Sequence, residues 1–303
     1  MARLDQAAVA AVAAVVREGS FEGAARALRV TASAVSQRVK HLEERVGSVL
    51  IVRGQPCTAT EMGRKMCRHA EAVAMLEQEL RRSLPGLLTS ADATERATLR
   101  VAVNADSLDT WLVGALAPFA NAENALLDVA LDDQEYTVEW LRTGQVLAAV
   151  TATGQAVQGC NSIALGRLEY VAVASPGFVK RWFAKGVTPE TLAAAPTLTF
   201  NHKDDLQRRW VRRHLRRELR LPTHWLPSTP AFAQGSVAGL GWGMNPTLLV
   251  HSQLRSGELV ELVPGRRLAV PLYWQHTRLP VPMLGRLTDA VLAAAGRMLS
   301  QRR

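Results

Sequence analysis

At 303 residues, 48% of them hydrophobic and with a mean hydropathy of +0.01, the chain has apolar material for two domains or three lobes. No apolar run nears the roughly 20 residues of a membrane span, and Cys57, Cys67 and Cys160 show neither disulfide-framework nor metal-ligand spacing, which fits a reducing cytoplasm. A net charge of +9 favours a polyanionic partner without deciding for one.

Leu4 to Val16 reads as a first helix, with Leu4, Val9, Val12, Val15 and Val16 available for packing. Asp5 and Glu18 replace the basic start of a signal peptide. In Gly19 to Leu50, GSFEGAARALRVTASAVSQRVKHLEERVGSVL, apolar residues recur at helical spacing twice, at Ala24, Ala25 and Leu28, then at Val35, Val39 and Leu42. Arg29, Val30 and Thr31 leave room only for a tight corner, and Ser20 and Thr31 are placed to cap the two helices. Such a pair reads either as a helix-turn-helix, whose second helix enters the DNA major groove, or as a helical hairpin with a solvated polar face. Thr31, Ser33, Ser36, Gln37, Arg38 and Lys40 lie at the start of the second helix and suit phosphates and base edges. VLIVRG, Val49 to Gly54, reads as a strand and turn, a small wing whose Arg53 can reach a backbone phosphate or the minor groove.

Thr60 begins a long helix in which Met62, Met66, His69, Val73, Leu76 and Leu80 repeat at spacings of three and four. That stripe is either a coiled-coil seam between two chains or a face packed on its own domain. Pro85 and Gly86 end the helix, and TSADATERA has linker composition. From Thr98, strands alternate with helices: TLRVAVN, LVGALAPFANAE, LLDVALD, VEWLRTG and VLAAVTA, then YVAVAS, a helix near Pro176 to Lys185, TLTF, a basic helix, PLYWQH and a closing helix from Pro282. The expected class is α+β multidomain. A winged helix-turn-helix covers 1–59, a linker or dimerisation helix 60–88 and a hinge 89–97. A two-lobed α/β, periplasmic-binding-protein-like effector domain follows over 98–303, with lobe I about 98–167 and 276–303, and lobe II about 168–275.

The first strand of this domain ends at VNADSL, before a helix expected near Thr110. Ligands of open α/β sheets bind at the carboxyl ends of strands, and helix N-termini offer free N–H groups to anions. Asn104 and Ser107 can hold a carboxylate there and Asp106 an ammonium; equally, Asp106 or Ser107 simply caps the helix. Asp132, Asp133 and Glu135 follow the second strand, and Thr151 and Thr153 the third, on the cleft side of a doubly wound lobe or in a solvated loop. Gly239 to Gly243, GLGWG, lacks the preceding strand and following helix of a nucleotide fingerprint and reads as a turn into a strand. Gln207 to Arg220, QRRWVRRHLRRELR, reads as a solvated basic face, or as an auxiliary contact with DNA or an acidic subunit. No histidine sits in a metal or nucleophile pattern, so neither catalysis, a cofactor nor a metal is expected.

SFEGAARALRVTASAVSQRVKHLEERVG and TATEMGRKM resemble the DNA-binding domain of the LysR-type transcriptional regulators. VAVNADSLDTWL, DDQEYTVEWLRTGQVLAAVT, FNHKDDLQ and GLGWGMNP are similar to its lysine- and arginine-sensing, ArgP/LysG-like branch, which controls basic amino acid export. The resemblance spans essentially the whole chain. It implies a cytoplasmic homodimer or homotetramer that binds a double-stranded DNA operator and a basic amino acid, with no membrane contact and no enzymatic step. It also tips Asn104, Asp106, Ser107, Asp133 and Thr151 towards an effector site, with Asp132 standing before Asp133 where the branch usually shows an acidic residue before its aspartate. The competing reading is a small-molecule-binding protein or enzyme with a helical N-terminal dimerisation arm.

Overall fold

The computed structural model describes residues 4–83, 96–131, 137–142 and 145–301. The hinge residues 89–95 and the acidic run Asp132, Asp133 and Glu135 lie outside them. Helix α1 (Gln6–Glu18) starts later than its apolar pattern because Asp5 is its N-cap, accepting from the Ala7 amide at 2.9 Å. Helices α2 (Phe21–Ala27) and α3 (Ala32–Val46) follow, capped by Ser20 and Thr31 as the sequence predicts. Arg29 turns the corner between them with φ at 52°. Ala24, Val35, Val39 and Leu42 close on the Ala/Val face of α1 in one small core.

The wing is an antiparallel pair, β1 (Ile51–Val52) and β2 (Thr58–Ala59). The Glu43 carboxylate of α3 accepts the Leu50 and Ile51 amides, at 2.7 and 3.3 Å, and so ties wing to helix. Helix α4 (Glu61–Ser83) packs directly under this joint: a Cβ at Gly63 would lie 2.0 Å from the Leu50 carbonyl oxygen, so only glycine fits. Its apolar stripe splits. Met62 and Met66 pack against the chain's own N-terminal core, whereas His69, Leu76 and Leu80 are exposed. Met75, off the stripe, is fully buried in the core of the effector domain.

That domain is built on β3 (Thr98–Val103), followed by a helix that begins at Ala105 rather than near Thr110. It comprises α5 (Ala105–Ser107), a π-helical stretch over Leu108–Leu112, and α6 (Val113–Glu123). The weak helix formers Asn104, Asp106 and Ser107 hide this earlier start. Then come β4 (Leu126–Leu131), α7 (Thr137–Arg142), β5 (Ala148–Thr151), β6 (Cys160–Ala174), α8 (Pro176–Trp182), α9 (Pro189–Ala194), β7 (Thr197–Thr199), α10 (Leu206–Leu215), β8 (Thr223–Trp225), α11 (Thr229–Val237), β9 (Gly243–Pro246), α12 (Thr247–Ser256), β10 (Val260–Glu261), β11 (Leu268–Thr277) and α13 (Pro282–Met298). The basic helix stops at Leu215, short of Arg220, because Arg216 adopts a left-handed conformation and Leu219 and Leu221 turn inward.

One mixed sheet runs through the domain in the order β10-β6-β11-β5-β3-β4, with β9 also on β6. The parallel βαβ units expected at its start are present, β3 pairing in parallel with β4 and β5. The lobes are joined by strands that belong to both. Strand β6 pairs with β11 along most of its length and then, beyond Leu168, with β9 and β10 of lobe II. The expected boundaries at 167/168 and 275/276 fall inside these two strands.

Helix α4 is fastened to lobe I by polar contacts. The Arg286 guanidinium of α13 donates to Glu123 at 2.7 and 2.8 Å and to Glu79 of α4 at 2.6 Å. Gln78 donates to the Glu123 carbonyl at 2.7 Å and accepts the Ala97 amide. The Glu123 side chain is 4% exposed, so Arg286→Met strands a buried carboxylate. Allowing for Arg286's one-third exposure, the loss is roughly 2 kcal/mol, and Arg286→Lys, which cannot fork between two carboxylates, falls between. Urea unfolding midpoints measure it; equal midpoints for all three proteins would mean the cluster adds nothing.

Candidate functional site

On α3 the buried residues Val35, Val39 and Leu42 turn one face inward, leaving Ser33, Gln37 and Lys40 exposed at helical spacing on the other. Ser36 and Arg38 are half-buried at its flanks, and the Thr31 hydroxyl is occupied in capping. Lys40 has only an exposed i,i+4 contact with Glu44 at 3.8 Å, too weak to hold it from an anion. Arg53 projects from the wing, its guanidinium 5.2 Å from the Phe21 ring centroid. The wing cation is thereby held over the start of α2.

A second concavity lies between the lobes. Its lobe I wall is the turn from β3 into the helix, where Asn104 holds the N-cap position without capping through its side chain. The Asn104 side-chain amide oxygen is buried and unpartnered. Asp106, the second residue of the helix, points its carboxylate across the cleft, accepting from the Tyr170 hydroxyl at 2.6 Å and from the Thr229 hydroxyl at 3.2 Å. Neither Asp106 nor Ser107 caps the helix. Burial pushes the Asp106 carboxyl from its usual 3.8 up to about 6; the two hydroxyls offset part of that rise and Asp204 adds to it.

Lobe II contributes the loop Phe200–Asp205 and the first turn of α10. Asp204 accepts the Phe200 and Leu206 amides, both at 3.0 Å, which fixes the loop, yet burial still raises its carboxyl. Lys203, Asp205 and Arg209 complete the charged lining, with Asp205 and Arg209 3.7 Å apart. Three carboxylates thus face two cations. Asn245 of β9 adds another buried, unpartnered carbonyl oxygen, its amide nitrogen being given to Ser236. Phe200, Phe232 and Met244 supply apolar walls. The cleft is rich in acceptors and negative by one charge.

The expected site residues divide. Asn104 and Asp106 line this cleft; Ser107 is fully buried behind it, with an unpartnered hydroxyl. Thr151 does not line it: its hydroxyl donates to the Thr153 carbonyl beside Gln275, closing a turn at the end of β5. Asp133 lies outside the described residues. Sequence reasoning missed Asp204, Asp205, Arg209, Thr229 and Asn245, although FNHKDDLQ and GLGWGMNP contain three of them. GLGWG is the turn into β9 that its composition predicts.

Residues 7–64 match the family described as bacterial regulatory helix-turn-helix protein, lysR family, and residues 92–296 the LysR substrate binding domain. The HTH-type transcriptional regulator LysG of Mycobacterium tuberculosis is 44% identical over 293 residues, 97% of this chain and 94% of its own length. The crystal structure of ArgP from Mycobacterium tuberculosis superposes with a TM-score of 0.83 at 42% identity, covering 99% of this chain and 100% of that one. Full-length LysG from Corynebacterium glutamicum with bound effector Arg is 35% identical, with a TM-score of 0.72 over 98% of this chain and 100% of that one.

The raised Asp106 carboxyl has a measurable sign. The folded chain holds this proton longer than the unfolded one, so the associated stability is full below 3.8 and disappears as pH rises through about 6. Without ligand, Asp106→Asn should flatten that loss by about 1–2 kcal/mol. Urea midpoints of both proteins across this pH range provide the comparison, and parallel curves would place Asp106 in open water.

Proposed function

The chain belongs to the LysR-type transcriptional regulators, and on that footing we propose that it answers to a basic amino acid, lysine or arginine, held in the interlobe cleft, and regulates basic amino acid export. Its N-terminal helix-turn-helix makes it a sequence-specific DNA-binding regulator. The observation that carries the effector reading is the cleft's excess of acceptors. Asp106, Asp204 and Asp205 outnumber Lys203 and Arg209, and the side-chain amide oxygens of Asn104 and Asn245 are without donors. An ammonium offers three donors and a guanidinium five, with no acceptor. The α-carboxylate goes to the free amides at the start of the helix after Asn104, or to Lys203 and Arg209. Asp106 takes one cationic end and Asp204 the other. The arginine bound to the Corynebacterium relative supports this choice of chemistry. Binding and release involve no chemical step on the ligand.

The protein works in the cytoplasm as a homodimer or homotetramer. His69, Val73, Leu76 and Leu80 form the two-chain seam, because the upper part of the stripe is already used within the chain and Leu76 and Leu80 are 49% and 58% exposed. Two-fold pairing of the chains matches two-fold operators.

Calorimetry with lysine and arginine tests the cleft. Because a bound cation favours ionised Asp106, affinity should fall as pH drops through about 6. Asp106→Asn and Asp204→Asn should each weaken binding by about 100-fold or more while leaving operator affinity intact. Parent-like binding by both variants would move the site elsewhere, and a parent that binds neither amino acid would remove the effector assignment.

On DNA, Gln37→Ala should cost about 1–3 kcal/mol at particular base pairs. Arg53→Ala should weaken all sequences alike and lower the salt slope by about one. Competition gel shifts with operator and scrambled duplexes separate the two effects; equal losses from Gln37→Ala on both duplexes would take base reading away from α3.

A further inference from the structure

Most of the positive charge of this protein lies outside its DNA-binding domain. Lobe II, residues 168–275, carries 14 lysines and arginines against 7 aspartates and glutamates, a net +7 of the chain's +9. Residues 1–59 carry 8 against 5, a net +3. Much of the excess lies on α10 and the turn after it. Leu206, Trp210 and Val211 are buried, and the Trp210 indole donates to the Arg266 carbonyl at 2.7 Å, so the helix cannot roll. Its outer face presents Arg208, Arg212, Arg213, Arg216, Arg217 and Arg220, all exposed. Arg212 touches Glu218 at 3.4 Å; among the described residues, Arg208, Arg213, Arg216 and Arg220 form no salt bridge. Like charges at i,i+4, as at Arg208 and Arg212, destabilise a helix. Arg216 moreover holds φ 55°, a left-handed conformation that glycine would take without strain.

None of this serves a cationic effector, whose approach such a field opposes. It suits an extended polyanion, and duplex DNA is the polyanion this protein already binds. We propose that the arginine face of Arg208–Arg220 is a second DNA contact, gripping the phosphate backbone of the duplex that flanks the operator. The inference rests on operator binding by the N-terminal domain and adds a sequence-independent hold on the effector domain. The geometry also links the two ligands: Leu206 and Arg209, in the first turns of α10, line the effector cleft, so DNA on the outer face and ligand on the inner side bear on one helix. Coupling of this kind is reciprocal.

The test compares operator-length duplex with the same operator extended by about 20 arbitrary base pairs on each side, titrated across salt concentration. The parent should gain affinity and salt slope on the longer duplex. Replacing Arg213, Arg217 and Arg220 together with Gln should leave operator-length binding unchanged but abolish that gain, lowering the slope on the long duplex by about 2–3. The corresponding triple Lys variant should keep it, since a phosphate contact needs the charge rather than the fork. A parent that gains nothing from extension, or a Gln variant that keeps the gain, overturns the proposal. So does a Gln variant normal on both duplexes yet defective in transcription with RNA polymerase, which would assign the face to an acidic protein. Failure of the parent on operator-length duplex would instead count against the reading of the N-terminal domain.

Discussion

The position of Arg286 governs how the halves of this molecule meet. Its guanidinium fills the angle between Glu123, at the end of α6, and Glu79, near the end of α4. A single charged fork thus fixes the linker helix against two helices of lobe I, and Gln78 closes the remaining backbone groups beside it. The helix that ends at Glu123 begins at Ala105, beside the cleft. One continuous helical element therefore has cleft-lining groups in its first turn and the linker helix at its last. Between them the helix is interrupted by the π-helical stretch and carries Pro118 in its interior.

Further up α4 the same contact has a softer chemistry. Glu71 lies within electrostatic reach of Arg100 and Asp128 of lobe I, which are 2.9 Å apart, and of Arg68 on its own helix. Burial lifts its carboxyl from 4.5 to about 7, Arg100 opposing and Asp128 reinforcing the rise. The stability this group lends to the joint is full below 4.5 and is lost as pH climbs through about 7. Cys67, one turn before it, is pushed up to about 11 by burial and by Glu71, and stays a protonated, unreactive thiol.

The DNA-binding half was legible because its determinants are local. Ser20 and Thr31 act on amides three residues away, and Val35, Val39 and Leu42 repeat at one helical period, so a short window contains the whole argument. The cleft was half legible. Asn104 and Asp106 follow from the rule that sheets bind ligands at strand ends, but the partners of Asp106, Tyr170 and Thr229, are 64 and 123 residues away. No periodicity carries that information. Thr151 satisfies the same strand-end rule and yet is consumed by a turn, because Gln275 of β11 crosses beneath it. The FNHKDDLQ block was visible as a motif, though not as a cleft wall, since its role depends on how α10 packs through Trp210. The α4 stripe was read as one surface, whereas the N-terminal core claims its first turns and leaves the rest bare.

Strands β6 and β11 enter both lobes unbroken, hydrogen-bonded to each other over most of their length. A periplasmic-type clamp swinging on loose threads gapes widely; two laddered strands instead behave as a torsion bar. Their one compliant point is the bulge between Leu272 and Tyr273, opposite Gly166, whose φ of 124° few other residues tolerate. Resistance to twisting between the lobes is then set by the hydrogen bonds of this ladder rather than by the slack of a linker.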